Sequence, residues 1–194
     1  MLKTELTGVI IAGGRSSRMG VEKGLVNFGG RPLITYPVEL LKLVCSNVII
    51  SANSSVFDFL ELTVIADRAP GGAPMIGIYS GLLAAPDDYI FVLSCDMPMI
   101  KPELLQYLIA ASGEAKAAVA WHNGFAEPLC GIYHHDLLGE LEYHIREEKF
   151  KLITFLEKVE AMYIEINDSL SFYDPNIFLN MNTPGDLERG ELLL

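Results

Sequence analysis

The chain has little with which to cross-link itself or to hold a zinc ion. Its 194 residues include only three cysteines, Cys45, Cys95 and Cys130, odd in number and far apart. They read as free thiols of a reducing compartment, and no Cys/His spacing resembles a zinc site. The four histidines form no set: His134 and His135 are adjacent, while His122 and His144 stand alone. Although 51% of the residues are hydrophobic, no apolar run approaches the length of a membrane span. The first residues lack a signal-peptide layout, so a soluble, cytoplasmic protein without membrane contact is expected. Positive charge is also scarce, with 14 Lys/Arg against 25 Asp/Glu and a net charge of −11. That balance argues against nucleic-acid binding.

The few cations are not evenly spread. Residues 1–50 hold six Lys/Arg and three Asp/Glu, so a net +3 faces a net −14 in the remainder. Three of those cations, Arg15, Arg18 and Lys23, follow an apolar run that ends in Gly13-Gly14. Strand, flexible turn and cationic loop in series suit a nucleoside triphosphate. Glycines admit phosphate oxygens close to backbone N–H groups, and the cations offset charge. Two commoner phosphate motifs are absent. Gly13 and Gly14 are adjacent, which breaks G-x-G-x-x-G, and Val21 follows Gly20 where the Walker pattern needs lysine. A hydride-transfer enzyme and a P-loop kinase both lose ground. Arg31 and Lys42 read as solvated surface cations.

Hydrophobic periodicity gives strands at Leu6–Ile11, Asn47–Ser51, Leu62–Ala66, Tyr89–Ser94, Ala117–Trp121, Leu129–Tyr133 and Met162–Ile166. Helices are expected at Pro32–Val44, Ile76–Ala84, Pro102–Ala111, Asp136–Ile145 and Leu152–Val159, and Thr183-Pro-Gly-Asp186 reads as a capping box opening a last short helix. The alternation predicts a single α/β domain over residues 1–194: a three-layer α/β/α sandwich, Rossmann-like, with a mainly parallel sheet. Ligands of such sheets sit beyond the carboxyl ends of the strands. Three strand ends carry polar or glycine-rich sequence there: Ala12–Gly14, Ser51–Asn53 and Cys95–Asp96.

Gly8-Val-Ile-Ile-Ala-Gly-Gly-Arg-Ser-Ser-Arg-Met-Gly-Val-Glu-Lys23 resembles the signature L-A-G-G-x-S-x-R-M-G-x-D-K of the molybdenum cofactor guanylyltransferases, the MobA-like nucleotidyltransferases. Ile11 stands for the leading leucine and Glu22 for the aspartate. Further resemblances follow in the family's order: Asp67, Pro70-Gly-Gly-Ala-Pro-Met-Ile-Gly-Ile78, Ser94-Cys-Asp-Met-Pro98, Glu127-Pro-Leu129 and Asn180-Met-Asn-Thr-Pro-Gly-Asp-Leu187. Together they run nearly end to end.

The resemblance implies Mg²⁺-dependent transfer of GMP from GTP to the terminal phosphate of molybdopterin, with release of pyrophosphate. It implies a nucleotide and Mg²⁺ half over residues 1–100 and an acceptor half over 101–194. Nucleotide contacts are expected from Ile11, Ala12, Gly13, Gly14, Lys23, Ser51, Asn53, Asp67 and Asp96. Arg18 and Lys23 would stabilise the transferring and leaving phosphates, and Asp96 would bind Mg²⁺. Asn180, Asn182 and Lys151 are the acceptor candidates, with Lys149 an equal alternative to Lys151. Glu127 is a candidate second metal ligand or site organiser. Ser51 departs from the family's frequent asparagine, which bears on base choice. Trp121, near His122 and Phe125, either lines a pterin pocket or is a core or interface tryptophan. The resemblance also leaves room for transient contact with cofactor-handling proteins. Three rivals remain at this stage. One is a relative with another base or acceptor, such as a molybdopterin cytidylyltransferase or a sugar-phosphate nucleotidyltransferase, and Gly13 speaks for the guanylyl branch. The others are a nucleotide-binding protein without turnover and a structural or interaction protein.

Overall fold

The computed structural model describes residues 5–13 and 22–194. Gly14, Arg15 and Arg18 lie outside the described residues. The frame is a seven-stranded sheet of β1 (Thr7–Ile11), β4 (Asn47–Ser51), β5 (Thr63–Ile65), β6 (Tyr89–Ser94), β7 (Ala117–His122), β8 (Phe125–His134) and β9 (Met162–Glu165), in the order β5-β4-β1-β6-β8-β7-β9. β8 alone runs against its neighbours, so the expectation of a mainly parallel sheet holds. A two-stranded ribbon of β2 (Asn27–Phe28) and β3 (Arg31–Pro32) stands apart.

β1 reads Thr-Gly-Val-Ile-Ile and is buried along its whole length. That is the pattern of a central parallel strand covered on both faces. Gly8 and Val9, successive residues of the strand, face opposite sides of the sheet, and each side receives a helix at close range. A Cβ on Gly8 would lie 3.0 Å from Leu41 Cβ of α1 (Thr35–Val44), and one on Gly81 of α2 (Pro74–Ala84) would lie 2.8 Å from Val9 Cγ1. One apolar layer joins α1 and α3 (Pro102–Ala111) to the sheet. The other joins α2, α4 (Leu138–Arg146) and α5 (Leu152–Lys158).

Several boundaries differ from the sequence expectation. α1 begins at Thr35 rather than Pro32, because Arg31 and Pro32 pair back onto Asn27 and Phe28 across Gly29-Gly30. α4 is preceded by a separate 3-10 turn at His135–Leu137. β8 is twice its expected length. Asn123 and Gly124, at φ 50° and 83°, make a two-residue turn that pairs His122 with Phe125, and this turn type matches the twist of the strands.

β8 then bulges. Val119 opposes Gly131, but the next residue, Ala120, opposes Glu127. Pro128 has no N–H for the ladder, and its carbonyl accepts a 2.6 Å hydrogen bond from the Tyr133 hydroxyl. The chain after β9 crosses back over the sheet edge. Ile166 N–H donates to Trp121 O at 2.8 Å and Met181 N–H donates to Asp96 O at 2.9 Å. It ends at the expected capping box of Thr183 and Asp186, which opens α6 (Pro184–Glu191).

Candidate active site

Four parallel strands finish on one line. Ala12 N–H donates to Ser51 O at 3.0 Å, Ala52 N–H to Ile65 O at 3.0 Å and Cys95 N–H to Ile11 O at 3.1 Å. The loops that leave this line enclose a cavity of about 290 Å³ with Ala12, Gly13, Glu22, Asn53, Gly71 and Gly72 in its wall. Ile11 is the last residue of β1 and is buried beneath it. Asn53 and Asp67 lock the rim. Asn53 Nδ2 donates to Asp67 Oδ2, and Asp67 N–H donates to Asn53 Oδ1, both at 2.8 Å. The partner of Asp67 is therefore Asn53 rather than its neighbour Arg68, whose N–H goes to Ser80 Oγ at 2.9 Å. Ser51 is 1% exposed. Its hydroxyl lies 3.1 Å from where a Cβ on Gly77 would stand, so it faces α2 rather than the cavity mouth.

Beside the cavity is a charged cluster. Lys23, in a 3-10 turn at Lys23–Leu25, pairs with Asp96 Oδ2 and donates to Asn182 Oδ1 at 2.6 Å. The Lys23 and Asp96 side chains are 20% and 10% exposed. The other oxygen of Asp96, Oδ1, is buried with no hydrogen-bond partner among the described residues. Glu127 is half-buried on the β8 bulge, and its carboxyl is pushed up to about 7, first by burial and then by the charge of Asp96. Two carboxylates therefore share one neighbourhood. A buried carboxylate oxygen without a partner is costly. A divalent cation would satisfy it, and the donors present are hard oxygens. Among the described residues no group of three His, Cys, Asp or Glu comes together. Two carboxylates suit Mg²⁺, which keeps waters and takes phosphate oxygens for its remaining positions.

The remaining expected residues divide. Asn182 is drawn into the cluster through Lys23. Asn180 is half-buried and donates to Phe178 O at 3.2 Å. Lys151 stands exposed at the N-cap of α5. Lys149 turns to Tyr143, 3.4 Å from its hydroxyl and 5.1 Å over its ring. Between the lysines, Phe150 packs on the glycine-rich loop, since a Cβ on Gly71 would stand 3.4 Å from its Cζ. His122 and His144 are buried, 8% and 4% exposed, and serve packing. His144 Nδ1 lies 3.0 Å from Glu140 O. Reasoning from sequence did not anticipate the Asn53–Asp67 pair or the Lys23–Asn182 contact. It also passed over the Asn123-Gly124 pair, whose hairpin signal marks where β8 starts.

A mononucleotide-sized cleft at the carboxyl edge of a parallel sheet, with a cation and two carboxylates beside it, belongs to phosphate-transferring enzymes of the nucleotidyltransferase class. The comparisons agree. The family model of the MobA-like NTP transferase domain matches residues 8–161, and the chain belongs to that family. It is 36% identical over 191 residues to a "Probable molybdenum cofactor guanylyltransferase" of Pelotomaculum thermopropionicum, covering 97% of this chain and 93% of the relative. It is 34% identical over 194 residues to the molybdenum cofactor guanylyltransferase of Vibrio vulnificus, covering 96% of each. Among solved structures, molybdopterin-guanine dinucleotide biosynthesis protein A from Archaeoglobus fulgidus superposes with a TM-score of 0.82. It is 27% identical, and the match covers 96% of this chain and 97% of that one.

Proposed function

We propose that this chain transfers GMP from GTP to the terminal phosphate of molybdopterin, with Mg²⁺ as the metal and pyrophosphate as the leaving group. The observation that carries this is the Lys23–Asp96–Asn182 cluster with its unpartnered Asp96 Oδ1, set beside Ala12 and Gly13. The names of the relatives supply the base and the acceptor.

In the reaction an acceptor phosphate oxygen bonds to the α-phosphorus of GTP, and the bond from that phosphorus to the bridging β-phosphate oxygen breaks. The Ala12 N–H is taken by the Ser51 carbonyl, which leaves the backbone N–H groups of Gly13 and Gly14 to hold the phosphates. Lys23 leaves its partners and stabilises charge growing on the departing pyrophosphate, and Arg18 serves the same end. Asp96, with Glu127, would hold Mg²⁺, which would supply positive charge against the phosphates. The Asn53–Asp67 pair shapes the cleft on the base and ribose side. Residues 1–100 bind nucleotide, while Asn180, Lys151 and their neighbours in 101–194 receive the acceptor. The three cysteines are free thiols, which supports a cytoplasmic site of action. Among the described residues no helix is long and apolar enough to cross a membrane.

The test is turnover with GTP or CTP, Mg²⁺ and molybdopterin, following pyrophosphate and the dinucleotide product. GTP-dependent product is expected, and turnover with CTP alone would move the chain to the cytidylyl branch. Asp96→Ala should abolish turnover while the circular dichroism spectrum stays unchanged. Undiminished product from that variant would remove Asp96 from the mechanism.

A further inference from the structure

A second and larger cavity, about 710 Å³, opens on the same carboxyl edge of the sheet, beyond β8. Trp121, Phe125, Ile153, Glu157, Tyr163 and Glu165 are in its wall. The nucleotide cleft uses none of them. β7 and β9 pair in parallel with Trp121 opposite Glu165, so Trp121, Tyr163 and Glu165 rise from one face. The Trp121 and Tyr163 rings meet edge to face with centroids 5.3 Å apart. Phe125 is 73% exposed at the turn, and Tyr163 38%. Rings left this open around a cavity mark a surface meant to be covered.

One link ties the cavity to the reaction centre. Ile153 in its wall lies three residues after Phe150, which packs on Gly71 of the nucleotide cleft. From β6, which ends at Ser94 just before Asp96, to β7 is two strand spacings, on the order of 10 Å.

We propose that this cavity is the subsite for the fused pterin ring of the acceptor. The ring stacks on the Trp121 and Phe125 side of the pocket. Its 2-amino and N3–H edge donates to the carboxylate of Glu165, a paired geometry that suits one planar acceptor group. The rest of the acceptor runs past the Phe150–Gly71 contact and brings its phosphate to Lys23 and Asp96. A protein segment is the weaker fit, because a neutral planar ligand with N–H donors answers both the aromatic wall and the carboxylates. The proposal rests on the acceptor named above.

Trp121 is the only tryptophan of the chain, so its fluorescence reads this pocket directly. The probe is 6-hydroxymethylpterin, titrated into the full chain with and without GTP. Saturable quenching is expected, undiminished by GTP, while GTP alone leaves Trp121 unquenched. Glu165→Gln should weaken pterin binding about tenfold, the loss of roughly one charge-assisted hydrogen bond, and Phe125→Ala several-fold. Both should raise the KM for molybdopterin by similar factors and leave the KM for GTP unchanged. Phe125 and Glu165 are exposed, so both variants should fold. Absence of saturable quenching, quenching by GTP alone, or an unchanged molybdopterin KM in both variants would overturn the subsite while leaving guanylyl transfer standing. Pterin binding at Trp121 without turnover of GTP would do the reverse.

Discussion

Glu127→Gln should make the protein more stable at alkaline pH, and only there. The wild-type carboxyl is half-buried on β8 and is moved, first by burial and then by the charge of Asp96, from an ordinary 4.5 to about 7. In the unfolded chain it titrates near its ordinary value. Between those two values the folded protein keeps a proton that the unfolded chain has lost. Stability is therefore full below about pH 4.5, falls as pH rises towards 7, and is flat above. A shift of this size corresponds to about 3.4 kcal/mol at roughly 1.36 kcal/mol per pH unit. Glu127 is only half-buried, and solvent screening reduces this to about 1–2 kcal/mol. Glutamine keeps the shape and never ionises. Urea denaturation of both proteins at pH 5 and pH 8.5 isolates the group, because nearly all other titrations are common to the two. The difference in unfolding free energy should favour Glu127→Gln by about 1–2 kcal/mol more at pH 8.5 than at pH 5. Mg²⁺ added at pH 8.5 should narrow that gap by compensating the paired carboxylates. Parallel pH profiles would refute the burial of Glu127 within the field of Asp96.

Two further substitutions test the scaffold around the site. A Cβ at Gly131 would lie 2.5 Å from Ala118 O and 2.9 Å from Val119 Cα, both backbone atoms of β7. Gly131→Ala should therefore destabilise by about 2–3 kcal/mol, read as a lowered urea midpoint, and an unchanged midpoint would contradict the bulged register. Thr183 Oγ1 accepts the Asp186 N–H at 3.2 Å, while Asp186 Oδ2 accepts the Thr183 N–H at 2.8 Å. Thr183→Ala should cost about 1 kcal/mol in thermal unfolding and weaken nucleotide binding, since Asn182 enters the cluster through this cap. A full stability loss with nucleotide affinity intact would separate the cap from the site.

The site and the fold share one origin in the sheet. Strands β5, β4, β1 and β6 end together because their apolar runs are in register, and the loops that follow carry Asp67, Asn53, Gly13 and Asp96 to one edge. Asp96 keeps one oxygen unpartnered among the described residues, which is a cost to folding that ligand binding would relieve. Lys23, shared between Asp96 and Asn182, supplies positive charge at the same point.

Local sequence determined the strands and most of the helices, because buried parallel strands write themselves as continuous apolar runs and amphipathic helices as period-3.6 stripes. The capping box at Thr183 and the cleft at the strand ends were legible for the same reason: both depend on residues close together in the chain. The Asn123-Gly124 hairpin signal is just as local but went unread, and its turn lengthens β8 by the residues that carry Glu127. What only the tertiary structure decided are meetings across long stretches of chain. Lys23 reaches Asn182, Asn53 pairs with Asp67, Phe150 packs on Gly71, and Trp121 joins Tyr163. None of these pairs has a spacing that encodes it, since each contact is set by strand order, by the bulge at Val119–Ala120 and by the path of the chain back over the sheet edge. The residue types of the centre belong to the sequence. Their partners, their burial and the Glu127 carboxyl's move to about 7 belong to the fold, because charge and desolvation act through space rather than along the chain.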